Sequence, residues 1–137
     1  MSEENLADAF NENNAPFAKT MGVQMTLVTK TRVEGELKVR EEHCTIPPTL
    51  HGGAIMAFAD NMGGIGAFLN MPEGSMTSTI ESKTNFLRAI PLGQTAKAVT
   101  TPVNIGRTLQ VWKTDIFRED GKLAAVVTQT QIIRAAT

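Results

Sequence analysis

The sequence is short of the residues that build disulfides and metal sites. Cys44 is the only cysteine, so no disulfide can form within the chain. Together with the two scattered histidines, it offers no recognisable spacing of metal ligands. We therefore expect no metal and a reducing, cytoplasmic setting.

The chain also lacks a charge excess and a long apolar run. Thirteen basic residues stand against 14 acidic ones, and the net charge of −1 gives no general attraction for a polyanion such as nucleic acid. No run approaches the roughly 18 apolar residues of a membrane span, and the acidic start "MSEENLADAF" has no basic segment followed by an apolar core. These absences disfavour nucleic-acid and membrane partners and predict a soluble, untargeted protein.

What is present is the length and patterning of one domain, residues 1–137. The first 15 residues form an arm in which a short helix is predicted over 3–15, with Ser2 as its N-cap and Pro16 close behind its end. We expect this arm to pack on the domain or to act as a lid.

The rest of the chain predicts strands around one long helix. Alternating apolar and polar residues place two strands within 22–40, before a loop that contains Pro47 and Pro48. Four further strands follow a break at 71–75, and their segments are 76–90, 94–105, 108–119 and 122–134. Pro102 predicts a bulge or an edge position, and Asp120-Gly121 predicts a tight hairpin turn. This order indicates an α+β fold, with one antiparallel sheet packed on a central helix.

The long helix, which begins near Gly52 or Gly53, carries a single carboxylate, Asp60. At 100° per residue, the stripe predicted to face the sheet is Ile55, Phe58, Ala59, Met62, Ile65, Gly66 and Leu69. The opposite side consists of Gly53, Ala57, Asp60, Gly64 and Ala67. A side so small and nearly uncharged should be covered by a partner subunit or a ligand.

Two interpretations of Asp60 remain open at this point. It is either the polar residue of an amphipathic helix, hydrogen-bonded to a loop, or a functional group. A carboxylate held among Ala, Gly, Met and Phe costs several kcal/mol of desolvation unless it is paired or protonated, and groups in such places are often functional.

One combination of residues resembles a known family. The pattern His51-Gly52-Gly53, then "FAD" ending in Asp60, a small-residue helix and the strand "ESKTNFLRAI" resembles the hotdog-fold acyl-CoA thioesterases, in particular the PaaI-like group of the phenylacetate pathway. The resemblance spans about residues 16–134. It implies the hotdog fold, a long helix wrapped by an antiparallel sheet. It also implies a dimer at least, or a tetramer, in which paired chains join their sheets and form two active sites at their interface.

The same resemblance assigns roles to the motif residues. The N–H of Gly52, at the helix N-terminus, would polarise the thioester carbonyl, and Asp60 would act as general base or as nucleophile. Eight positions separate the two residues, about 12 Å along a helix, whereas an attacking group must lie about 3 to 3.5 Å from the carbonyl carbon. They should therefore come from different subunits. Gly53 belongs with the substrate-binding residues, and His51 with the catalytic ones, although alone His51 is read as fixing the loop by a hydrogen bond.

Two positions depart from the family pattern. Relatives usually carry Asn or Gln six residues before the His, to help hold the carboxylate or water, and here that residue is Thr45. Some relatives place a hydroxyl one helical turn after the acid, where this chain has Gly64. A hydroxyl would then come from the facing strand, and Ser78 is the predicted residue, with Thr77 and Thr79 as neighbours.

The residues that bind the two ends of the substrate, coenzyme A and the acyl group, are predicted less directly. Arg107 and Thr108 stand where relatives often carry residues that meet the nucleotide phosphates of coenzyme A, and Arg88 and Lys83 are further candidates. Any of these could equally be a solvated charge on a strand. The expected acyl pocket draws on Leu50, Met56 and Phe58, and no cofactor is expected because coenzyme A is part of the substrate.

Two other functions fit the same fold. The chain could bind acyl-CoA without hydrolysing it, with Asp60 only structural. It could also be a hydratase or dehydratase, but those enzymes generally use a His with an acid placed across the site, and neither His43 nor His51 is clearly placed for that role.

Overall fold

The computed structural model describes residues 3–136, in which one long helix lies against one face of a six-stranded antiparallel sheet. The helices are α1 (Ala7–Glu12), α2 (Pro16–Met21) and α3 (Gly52–Leu69). The strands are β1 (Gln24–Val28), β2 (Val33–Lys38), β3 (Met76–Phe86), β4 (Thr95–Ile105), β5 (Leu109–Phe117) and β6 (Leu123–Arg134). Their order in the sheet is β1-β2-β4-β5-β6-β3, so β1 and β3 form the edges. The predicted α+β architecture is confirmed, including its hotdog arrangement.

Helix α3 packs on the sheet through the stripe that its periodicity predicts. Ile55, Phe58, Ala59, Met62, Ile65 and Gly66 are buried, whereas Leu69 is half-buried. At Gly66 a Cβ would lie 2.8 Å from the Trp112 ring, so glycine lets the helix approach the sheet closely here. In residues 3–136, no helix combines the length and the apolarity that crossing a membrane would require.

The N-terminal arm differs from the single helix predicted over 3–15. Helix α1 begins only at Ala7, where the Asn5 side chain accepts a hydrogen bond from the Ala7 N–H, and the predicted cap Ser2 lies outside the described residues. Pro16 starts a second helix instead of following the first one. Proline suits the first helical position because its fixed φ is already helical and the N–H it lacks would have no partner there.

The four strands after α3 are confirmed, with local differences. The strand predicted over 76–90 ends at Phe86. The register shift between Pro102 and Asn104 confirms the bulge alternative, and β4 is an inner strand rather than an edge. The turn at Asp120-Gly121 is present, and the hydrogen bond from Arg118 lowers the pKa of Asp120 to about 2.

A bulge in β3 decides which of its residues face the helix. Thr79 pairs with Gln131 and Glu81 pairs with Thr130, so Ile80 is an extra residue without a place in the alternation. Before the bulge, Thr77 and Thr79 share the face of β3 that carries their hydrogen bonds to α3 and β6.

Candidate active site

Asp60 is held by two side chains that reach it from the sheet. The Thr79 hydroxyl donates to Asp60 Oδ1 at 2.7 Å, and Gln129 Nε2 donates to the same oxygen at 3.3 Å. Thr79 in turn accepts a hydrogen bond from Gln131 Nε2. Asp60 Oδ2 has no hydrogen-bond partner among the described residues, so one carboxylate oxygen is anchored and the other is available.

These contacts correct the prediction for the hydroxyl on the facing strand. The strand is the predicted one, but the residue that reaches the carboxylate is Thr79 and not Ser78. Successive side chains of a strand point to opposite faces, and Ser78 therefore points away from the face that Thr77 and Thr79 share.

The expected desolvation of Asp60 is not met within one chain. Asp60 is exposed, although the residues about one turn away on the same face of α3, Ala57 and Gly64, are small. Of the face predicted to need a cover, Gly53 is also exposed, Ala57 and Gly64 are half-buried, and only Ala67 is buried. Most of this face is thus accessible to a ligand or to a second chain.

The start of α3 presents a backbone donor, the N–H of Gly52, that has no acceptor among residues 3–136. His51 is the N-cap residue, and its Nδ1 accepts the hydrogen bond from the Gly53 N–H at 2.8 Å. A Cβ on Gly53 would lie 3.1 Å from that nitrogen, which explains why glycine suits the position. The cap leaves the N–H of Gly52, for which helix geometry supplies no acceptor, pointing out of the helix end. His51 thus has the structural role, and the structure shows no catalytic contact for it within residues 3–136.

A cavity of 310 Å³ opens beside that donor. Gly52, Leu50 and Arg88 line it together with Phe86, whose ring would lie 3.2 Å from a Cβ on residue 52. Arg88 is exposed, and its Nη1 donates to the Leu123 carbonyl at 2.7 Å. Three of the predicted site residues are therefore brought together at the N-terminus of α3.

Two more cavities flank Asp60 on the side of the N-terminal arm. The larger measures 390 Å³, and its walls include Phe10, Asn13, Gly64, Ile65 and Phe68. The smaller measures 270 Å³ and lies between α2 and α3, beside Ala57 and Asn61. The arm packs on the domain, which is one of the two alternatives expected from the sequence. It also borders the space next to the Asp60 carboxylate.

The remaining predicted site residues are dispersed. Thr45 is exposed in the proline-containing loop, where its N–H donates to the Thr49 carbonyl. Met56 is half-buried, and Phe58 is fully buried in the core, so Phe58 cannot line an open acyl pocket as predicted. Lys83 is exposed on β3 and donates to Asn85 Oδ1.

Arg107 and Arg88 lie at opposite ends of the sheet. The Thr108 carbonyl, next to Arg107, accepts from the Ile133 N–H, whereas Arg88 contacts Leu123. Ten residues of β6 separate these two contacts, about 33 Å along a strand. Arg107 and Arg88 of one chain therefore cannot bind the same phosphate group.

Both histidines make hydrogen bonds that stabilise the local structure. His43 is buried, and its Nδ1 accepts from the Arg40 N–H at 3.1 Å, while His51 caps α3. Among residues 3–136, no cluster of three or more His, Cys, Asp or Glu side chains could hold a metal ion.

Sequence reasoning missed Gln129, which is 1% exposed and touches Asp60. A signal was present in "KLAAVVTQTQIIR", where Gln129 and Gln131 occupy the two positions that alternation assigns to the buried face. Buried glutamines at period two indicate a polar partner inside.

Comparison with known proteins gives the family. A family model described as "Thioesterase superfamily" matches residues 48–125, more than half of the chain. A Haemophilus influenzae protein is 34% identical over 77% of this chain and 76% of its own length. The 1,4-dihydroxy-2-naphthoyl-CoA thioesterase 2 of Arabidopsis thaliana is 29% identical over 73% of this chain and 63% of its own length.

The fold agrees with that match. The structure of the E. coli PaaI protein from the phenylacetic acid degradation operon superposes with a TM-score of 0.85, at 18% identity, over 96% of this chain and 93% of PaaI. At that identity the likeness concerns the fold alone. The family-model match over residues 48–125 and the 34% identical relative go further: the chain belongs to the thioesterase superfamily and is a thioester hydrolase.

Proposed function

We propose that the protein hydrolyses acyl-CoA thioesters to the free acid and coenzyme A, in the cytoplasm and as a homodimer or larger homo-oligomer. The observation that carries this proposal is the carboxylate of Asp60, anchored through Oδ1 and available through Oδ2 on an otherwise uncharged helix face. Coenzyme A as the thiol is supported by the Arabidopsis relative, whose name specifies a CoA thioester.

The reaction needs an attacking oxygen and a donor for the carbonyl. With Asp60 as general base, a water proton passes to Oδ2 and the water oxygen bonds the carbonyl carbon. The oxyanion accepts a hydrogen bond from the Gly52 N–H, the C–S bond breaks, and the coenzyme A thiolate takes up the proton. With Asp60 as nucleophile, Oδ2 bonds the carbonyl carbon, the C–S bond breaks and the coenzyme A thiolate leaves, taking a proton from water. Water then hydrolyses the resulting acyl anhydride to the free acid and the Asp60 carboxylate.

The two groups are proposed to come from different subunits. Gly52 and Asp60 lie in the same unbroken helix α3, eight positions apart, and this spacing of about 12 Å is too long for one carbonyl group to meet both. In an isologous dimer, each chain would supply Gly52 to one site and Asp60 to the other.

The cavities suggest where the two parts of the substrate lie. The space beside Gly52, with Arg88 at its rim, is proposed for the pantetheine side of the thioester. The 390 Å³ cavity beside Asp60, walled by the N-terminal arm and α3, is proposed for the acyl group.

The test is coenzyme A release by wild-type protein, Asp60→Asn and the control Asp8→Asn, which changes an exposed carboxylate of α1. Acetyl-, octanoyl-, palmitoyl- and phenylacetyl-CoA serve as substrates, with the thiol signal corrected for the free thiol of Cys44. We expect Asp60→Asn to lower turnover by about 100- to 10,000-fold. Because Asp60 is exposed in the single chain, the free energy of unfolding of the Asp60→Asn variant should differ little from that of the wild type.

Other outcomes separate the alternatives. Full turnover by Asp60→Asn would remove this carboxylate from the mechanism. Tight acyl-CoA binding without turnover by the wild type would favour the non-catalytic binding protein.

A further inference from the structure

Gln129 is a buried amide on the face of β6 that packs against α3. Its side chain is 1% exposed and lies along the strand between two other buried inward residues, Val127 and Gln131. An amide in such a place loses its hydrogen bonds to water and is stable only with partners inside the protein. Gln129 Nε2 donates to Asp60 Oδ1, whereas the buried Oε1 has no partner among residues 3–136. Among residues 3–136, the Asp60 carboxylate is therefore the side chain that satisfies part of the hydrogen-bonding capacity of Gln129.

Helix α3 has a glycine, Gly63, where the Gln129 amide packs against it. A Cβ on Gly63 would lie 2.3 Å from Gln129 Oε1, so any side chain at position 63 would displace the amide. Glycine inside a helix is unfavourable relative to alanine. Two energetically unfavourable features therefore lie in contact: Gly63 within α3, three positions after Asp60, and the Gln129 amide, whose Oε1 is buried without a partner.

The two donors on Asp60 end on the same oxygen. Thr79 and Gln129 both donate to Oδ1, and a chain of hydrogen bonds supports Thr79: Gln131 Nε2 donates to its hydroxyl, and the Thr77 hydroxyl donates to Gln131 Oε1 at 3.0 Å. Two donors from different strands restrict rotation of the carboxylate. They leave Oδ2 without a hydrogen-bond partner among residues 3–136, and Asp60 lines the two cavities on the side of the arm.

We infer that Gln129 is a positioning residue that orients the Asp60 carboxylate so that Oδ2 faces the thioester. The absence of a side chain at Gly63 leaves the space that the Gln129 amide occupies. This inference rests on the proposed role of Asp60. Gln129 itself does not touch the substrate, and its effect is on the rate of the chemical step and not on binding.

The first variant is Gln129→Met, which keeps most of the volume, suits an apolar core and removes the donor. We expect kcat to fall about 10- to 100-fold, as for a misplaced reacting group, with KM changed less than about twofold. The melting temperature should stay equal or rise, since an unpartnered buried oxygen is removed. Gln129→Leu repeats the test if Gln129→Met does not fold.

The matched control is Gln110→Met. Gln110 is also 1% exposed and inward-facing, on the adjacent strand β5, but its amide contacts Trp112 and the Ala67 carbonyl and lies outside the Asp60 network. Its kcat should remain within about twofold of the wild type even if its stability falls.

A double-mutant cycle tests whether Gln129 acts through Asp60. In an Asp60→Asn background, Gln129→Met should cause no further loss of residual turnover, because residues that act as a unit are non-additive. Losses that multiply, or a Gln129→Met kcat within about twofold of the wild type, would overturn the inference while leaving the proposed function intact. Full turnover by Asp60→Asn alone would overturn both.

Discussion

At the scale of single residues, two adjacent glycines of α3 have opposite surroundings. A Cβ on Gly63 would collide with Gln129, whereas a Cβ on Gly64 would have no atom within 4 Å in this chain. The first glycine is therefore needed for packing against the sheet. The second leaves open the space beside Asp60.

Alanine at these two positions should change stability in opposite directions. Gly63→Ala should lower the free energy of unfolding by about 1–3 kcal/mol through overpacking. Gly64→Ala should raise it by about 0.5–1 kcal/mol, because alanine loses less backbone entropy in a helix. Urea unfolding at one protein concentration measures both. A clear destabilisation by Gly64→Ala would contradict an open space at this position and point to close approach by another chain.

At the scale of elements, the N-terminal arm and α3 together form the wall of the proposed acyl cavity. Phe10 of α1 and Phe68 of α3 meet edge to face, with ring centroids 6.3 Å apart. The arm is anchored on the sheet, because the Asn11 side chain donates to the Met25 carbonyl and accepts from the Met25 N–H. The cavity wall is thus built by two elements that are distant in sequence.

Filling this cavity should change the preference for the acyl group. Gly64→Leu projects a side chain into the open space and should lower kcat/KM for octanoyl-CoA relative to acetyl-CoA by about 10-fold or more, as expected when several methylene contacts are lost. The kinetics of both substrates are measured together with the oligomeric state. The control Ala9→Leu adds the same side chain on an exposed position of α1. An unchanged ratio would place the acyl group elsewhere.

At the scale of the whole molecule, the described chain has an open edge and an open helix face. Strand β3 is an edge strand with exposed apolar side chains, including Met76, Ile80 and Phe86. An uncovered edge of this kind is a template for pairing with another strand. Together with the spacing between Gly52 and Asp60, it supports the proposal of a site shared by two chains.

Mixing two inactive proteins tests that proposal. A dimer of one Asp60→Asn chain and one Gly52→Val chain retains one intact pair, Gly52 of the first chain and Asp60 of the second. Random exchange at equal amounts should therefore restore about a quarter of wild-type turnover. Each variant alone should be nearly inactive, Gly52→Val because its side chain would press on Phe86 and obstruct the thioester. No recovery after confirmed subunit exchange would exclude the two-chain geometry.

Local patterns of the sequence determined the element order, the strand segments and the position of Asp60 on α3. These follow from periodicity, from proline and glycine, and from the glycine motif, all of which act within a few residues. The local patterns did not predict helix α2, because Pro16 is compatible both with the end of one helix and with the start of another.

Only the tertiary structure decided which side chains surround Asp60. Thr79 instead of Ser78 reaches the carboxylate because the pairing of β3 with β6 sets which face each residue occupies. Gln129 lies under Gly63 although 66 positions separate them in the sequence. Strand register and the approach of a helix to a sheet depend on contacts between distant segments, and no local pattern contains that information.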